Sequence, residues 1–85
     1  MGELVPDMAR ETSEPAAEAG REPSSREREV LALLADGATD RQVAASLDLS
    51  PATVRTHVRN AKTKLGARTR AQAVAVALQR HLIRS

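Results

Sequence analysis

From Ser24 onward, apolar residues return every three or four positions in four blocks separated by short polar breaks, which is the period of amphipathic helices. The first block, Val30, Leu31, Leu33 and Leu34, is introduced by Ser24 and Glu27. That S-x-x-E pair is a capping box, in which hydroxyl and carboxylate each satisfy an orphan backbone donor. Gly37 supplies a left-handed stop. A second, short block of about two turns, with Val43, Ala44 and Leu47 along one edge, begins after Thr39, whose box partner is Gln42. The turn Asp48-Leu49-Ser50 follows. Ser50 caps a third helix, and Pro51 takes its first position, where a missing N–H costs little. At about 100° per residue, Val54, Val58, Ala61 and Leu65 fall in one narrow stripe. Thr56, Arg59, Asn60 and Thr63 lie opposite, with Arg55 and Lys62 on a shoulder, and Gly66 ends the helix.

The fourth block starts at a Thr69 cap and is expected to run to about Leu82. Ala71, Ala73, Val74, Ala75, Val76, Ala77 and Leu78 leave almost no polar face in its middle. A helix apolar all round is expected to be buried all round, which asks for a partner subunit over its second side. No hairpin pattern interrupts the series. The expected fold is all-α, a four-helix domain over residues 24–85.

Residues 1–23 differ. They hold six acids (Glu3, Asp7, Glu11, Glu14, Glu18, Glu22) against Arg10 and Arg21, with three prolines and few large apolar side chains. Such a segment buries too little surface to offset its conformational entropy, so a disordered acidic tail or linker is expected. Removing its charge of −4 from the overall +2 leaves +6 on the remainder. From Leu49 to Ser85 there are eight Lys or Arg and no Asp or Glu. A small basic domain points to a polyanionic partner, nucleic acid first.

Several classes of function drop out. The chain has no cysteine and only His57 and His81, so neither a disulfide framework nor a metal centre is expected. No apolar run approaches the roughly 18–20 residues that span a bilayer, and the N-terminus lacks a secretory pattern; the expected location is the cytoplasm, at the nucleoid. Aromatic residues are absent, which removes the stacking platforms of single-strand binders and favours duplex DNA. No nucleophile–base pair or glycine-rich phosphate loop is visible, so neither an enzyme nor a cofactor is expected.

The order and spacing of these residues resemble the LuxR-type (FixJ/NarL-like) helix-turn-helix domain over about residues 24–84. Arg26 to Leu31 with Leu34, Ala35 and Gly37 look like the family's opening helix, and Thr39, Val43, Ala44 and Leu47 its second. Ser50, Thr53, Val54, Arg55, His57, Asn60, Lys64 and Leu65 match its recognition helix. Arg70, Ala73, Val74, Ala77, Leu82 and Ile83 match its closing helix. The resemblance implies a bacterial transcription regulator that binds double-stranded DNA, with a homodimer formed through the fourth helix by Ala73, Val74, Ala77 and Leu78. It places Arg55, Thr56 and Arg59 at bases or nearby phosphates, and Thr39, Arg41, Thr53 and Lys62 at the DNA backbone. Three positions depart from the family. Pro23 replaces an apolar residue before the first cap, implying a looser approach to the domain. Asp48 and His81 replace glycines, the latter implying a longer fourth helix or a different stop.

Plainer readings stand beside these. Arg55 and Arg59 fit a solvated basic face, Ser50 and Thr39 are caps first, and His57 beside the valine stripe reads as a packing residue. Lys64 reads as a partner for Glu27 or Glu29, and the fourth helix as core. The alternative function is a sigma-factor-like module that binds RNA polymerase or another regulator through that helix; acid-free cations on the third helix would then have no purpose.

Overall fold

The computed structural model describes residues 21–84. It contains four helices, α1 (Ser25–Ala35), α2 (Asp40–Leu47), α3 (Pro51–Leu65) and α4 (Arg70–Gln79), and no strand among the described residues. The expected acidic tail lies outside them except for its last residues.

Each helix starts where the caps place it. Ser24 Oγ accepts from the Glu27 N–H at 3.2 Å while Glu27 Oε1 accepts from the Ser24 N–H at 2.9 Å. The same reciprocal pair joins Thr39 and Gln42, at 3.1 and 2.8 Å. Ser50 Oγ accepts from the Thr53 N–H, and Thr69 Oγ1 from the Gln72 N–H.

The helices also end alike. In every case the chain passes through one left-handed residue, Gly37 (φ 96°), Asp48 (φ 59°), Gly66 (φ 68°) or His81 (φ 59°). The next N–H then bonds back across the last turn: Ala38 to Leu33 O, Leu49 to Ala44 O, Ala67 to Lys62 O and Leu82 to Ala77 O, all between 2.8 and 3.1 Å. These are Schellman closures. Asp48 and His81 adopt the conformation for which glycine is usual. His81 therefore stops α4 at Gln79, three residues short of the expected end near Leu82.

α1 and α3 form the middle of the domain, and each contributes to two apolar clusters. Val30, Val54 and Val58 join Val43 and Ala44 of α2 on one side. Leu31 and Ala61 join Ala73 and Ala77 of α4, with Ile83, on the other. Alanines at these α4 positions let its backbone approach closely enough to seal Leu31, which is fully buried. Burying a leucine of this kind contributes about 2 kcal/mol.

Two expectations need correction. Pro23 does not loosen the approach to α1: it is among the fully buried side chains, and its carbonyl accepts from Arg28 Nε at 3.3 Å. Glu22 in turn meets Arg80 at 2.9 Å. Pro23 thus packs against the helices, a rigid ring ahead of the cap that loses little further backbone freedom in doing so. Nor is α4 buried all round. Ala71, Gln72, Ala75 and Gln79 are exposed, Val74, Val76 and Leu78 half-buried, and only Ala73 and Ala77 buried.

Candidate nucleic-acid interface

The two valines and one alanine buried beneath α3, Val54, Val58 and Ala61, fix how the helix is rotated. The opposite side must then face outward. Arg55, Thr56 and Arg59 are exposed there, and Lys62 is half-buried beside them. Together with Ala52, Val58 and the α4 residue Arg70 they line one groove. Arg55, Arg59 and Lys62 meet no acidic side chain among the described residues, so their charge is available to an incoming anion.

Hydroxyl groups on this side are partly committed. Thr56 Oγ1 donates to Ala52 O at 3.2 Å, and Thr63 Oγ1 to Arg59 O at 3.2 Å. Their protons are used within the helix, leaving lone pairs and a methyl group for an outside partner. Thr53, half-buried, sits in the first turn with its Oγ1 2.9 Å from Ser50 Oγ. Thr39 and Arg41 are exposed at the start of α2 and do not line the groove.

The predicted residues therefore divide. Arg55, Thr56, Arg59 and Lys62 are brought together, whereas Thr39, Arg41 and Thr53 stand at the amino-terminal turns of α2 and α3. Lys64 points elsewhere: its Nζ lies 2.9 Å from Glu27 Oε1, with the two side chains 14% and 5% exposed. Glu27 thus closes the α1 cap and holds an α3 cation at once. His57 is half-buried in the manner of a packing residue, its Nδ1 buried without a hydrogen-bond partner among the described residues. Ala73 and Ala77, expected at a dimer surface, are wholly covered within the chain by α1 and α3. Val74 and Leu78 remain partly accessible.

One feature of the groove carries no signature in the sequence. Arg70 forks onto Asp40, Nη1 to Oδ1 at 2.6 Å and Nη2 to Oδ2 at 3.2 Å. The residues are 30 apart in the chain, and no local pattern links them.

A two-turn helix, a tight turn and a second helix with its cationic side outward make this a DNA-binding helix-turn-helix domain. Residues 24–77 match the family model of bacterial regulatory proteins of the luxR family, and the chain belongs to that family. It is 42% identical over 80 residues to the probable transcriptional regulatory protein NarL of Mycobacterium tuberculosis, covering 94% of this chain and 37% of that protein. The spore germination protein GerE of Bacillus subtilis is 47% identical over 51 residues, 60% of this chain and 69% of GerE. The response regulator protein VraR of Staphylococcus aureus is 40% identical over 60 residues, 71% of this chain and 29% of VraR. Among solved structures, that of the transcription factor GerE superposes with a TM-score of 0.69 at 33% identity, over 72% of this chain and 91% of that one. The chain thus spans little more than a third of its mycobacterial relative. No described helix is long and apolar enough to cross a membrane.

Proposed function

We propose that the chain is a transcription regulator that reads duplex DNA sequence-specifically through α3. In this reading α3 enters the major groove and α2 crosses the backbone, the docking that helix-turn-helix geometry favours. The observation that carries it is the division of α3 into a sealed Val54/Val58/Ala61 side and an exposed Arg55/Thr56/Arg59 side without a single acid. Arg55 and Arg59 approach guanine edges or the phosphates beside them, and Thr56 offers its methyl and lone pairs at close range. Thr39, Arg41, Thr53 and Lys62 hold the sugar–phosphate backbone. Contacts of the second kind fix register, those of the first kind specify sequence.

Pairing of two copies belongs to the same proposal, but on a narrower surface than the sequence suggested. With Ala73 and Ala77 inside the core, Val74 and Leu78 are left as its apolar anchors, flanked by the exposed Ala71 and Ala75. Paired half-sites would then lie about ten base pairs apart, or a multiple of it.

Selection of bound duplexes from a random pool tests site and spacing together. On the selected site, Arg55→Ala and Arg59→Ala should each weaken binding by roughly 5- to 100-fold where the lost contact is a bidentate base pair, with helical content unchanged. Wild-type affinity should fall with salt by about 0.9 in log K per log salt for each phosphate neutralised. Equal affinity of wild type and both variants rules the assignment out.

A further inference from the structure

Within that DNA-binding reading, we propose that Arg70 is an additional phosphate-contacting residue and that Asp40 is the positioning residue that aims it. α2 and α4 do not pack against one another, yet the Arg70–Asp40 fork spans the gap between them at 2.6 and 3.2 Å. The pair is well solvated, its side chains 43% and 23% exposed, and exposed ion pairs stabilise a fold little. Its placement is more informative than its strength. Asp40 lies between Thr39 and Arg41, at the start of the helix that meets the DNA backbone. Arg70 lines the same groove as Arg55, Thr56, Arg59 and Lys62.

An unpaired carboxylate at that position would repel phosphate. Joined to Arg70, it does the reverse. A guanidinium carries more N–H donors than one carboxylate can engage, so the remainder stay available to a phosphate oxygen. The fork also fixes a long side chain before DNA arrives, lowering the rotamer entropy lost on binding. Arg70 thereby extends the cationic side of α3 onto α4, and the contact is to backbone, insensitive to base sequence.

The test measures affinity of the full chain for its selected duplex and for an unrelated duplex of equal length, across a salt series. Arg70→Ala should weaken both by the same factor, roughly 5- to 10-fold, and flatten the log K against log salt slope by about one. Asp40→Asn should weaken binding roughly 2- to 3-fold although it removes a negative charge. Asp36→Asn, which neutralises an exposed acid away from the groove, should leave affinity unchanged or slightly raise it. A folded Arg70→Ala with wild-type affinity and slope overturns the phosphate contact. Tighter binding by Asp40→Asn overturns the positioning role. Should Arg70→Ala fail to fold, Arg70→Lys decides: a retained slope with weaker affinity supports the fork, and wild-type affinity refutes it. Arg55→Ala runs alongside as a reference. If binding responds to Arg55→Ala but not to Arg70 variants, only this inference fails; if wild type has no salt-dependent duplex affinity, both readings fall.

Discussion

α3 and α4 are both held against α1, yet only α3 announces its orientation. Along α3, valines alternate with Arg, Lys and Thr, so rotating the helix by half a turn would bury several charges and expose its valines. One orientation is favoured by many kcal/mol. Along α4, apolar residues surround the axis, but most are alanine, and an exposed alanine costs almost nothing. Hydrophobic identity without bulk therefore leaves rotation undetermined from sequence. Tertiary packing settles it by placing Ala73 and Ala77 inside, in one buried cluster with Leu31. α4 is therefore not buried all round, because buried area, rather than the number of apolar residues, sets how much of a helix the fold must cover.

Even on α3 the rule that charge points outward has one exception, and removing it should produce the largest effect. Lys64 is directed inward to Glu27, which is 5% exposed in its side chain. Lys64→Met leaves that carboxylate buried without its cation, bonded only to the Ser24 N–H of the cap. Breaking a buried pair costs about 3–5 kcal/mol; because Lys64 keeps 14% exposure, about 3 kcal/mol is expected here. Urea unfolding measures it. Glu27→Gln should cost less, about 1 kcal/mol, since a glutamine at this cap position bonds back just as Gln42 does to Thr39. A Lys64→Met protein as stable as wild type would place Lys64 with the other outward cations.

The next effect sharpens the α4 side. Ala73 and Ala75 are the same residue two positions apart, one buried and one exposed. Ala73→Leu forces extra methylenes between α4 and α1 and should cost about 1–3 kcal/mol. Ala75→Leu should stay within about 0.5 kcal/mol. Matched thermal melts, monitored by helical circular dichroism at low protein concentration, compare them directly. Equal melting temperatures would mean that α4 is rotated differently.

This contrast also marks what was legible beforehand. Every helix start was readable, because Ser24, Thr39, Ser50 and Thr69 act on donors within three residues of themselves. The cationic side of α3 was readable for the same local reason, its period being contained in one helix. Burial of Pro23, the Arg80–Glu22 contact and the Arg70–Asp40 fork were not. Each joins segments whose meeting depends on how all four helices pack, the two ion pairs being 30 and 58 residues apart in the chain. The Lys64–Glu27 pair, 37 residues apart, was legible only because Lys64 falls next to the apolar stripe of α3 and Glu27 in the cap of α1. Asp48 and His81 lie between these cases. The glycines they replace point to a turn at Asp48 and to a longer fourth helix or a different stop at His81, and only the backbone shows that both take the glycine conformation.

Those stops supply the smallest effect, and the most direct comparison of α3 with α4. α3 closes through Gly66 at φ 68° and α4 through His81 at φ 59°, with the same hydrogen bond from the following residue. A Cβ added at Gly66 would meet nothing within 4 Å, so Gly66→Ala isolates the backbone cost of a left-handed L-residue, about 1 kcal/mol. His81 already bears that cost. His81→Gly should recover it less the extra freedom glycine gains in the unfolded chain, a net rise of about 0.5 kcal/mol. For a domain of this size 1 kcal/mol shifts the melting temperature by roughly 4–8 °C, so the two variants should move it in opposite directions by resolvable amounts. Asp48→Gly should move it least, since aspartate tolerates this conformation better than histidine does. If His81→Gly instead lowers the melting temperature, the imidazole contributes a contact at the end of α4 that outweighs the strain of its backbone, and the equivalence of the two helix ends fails.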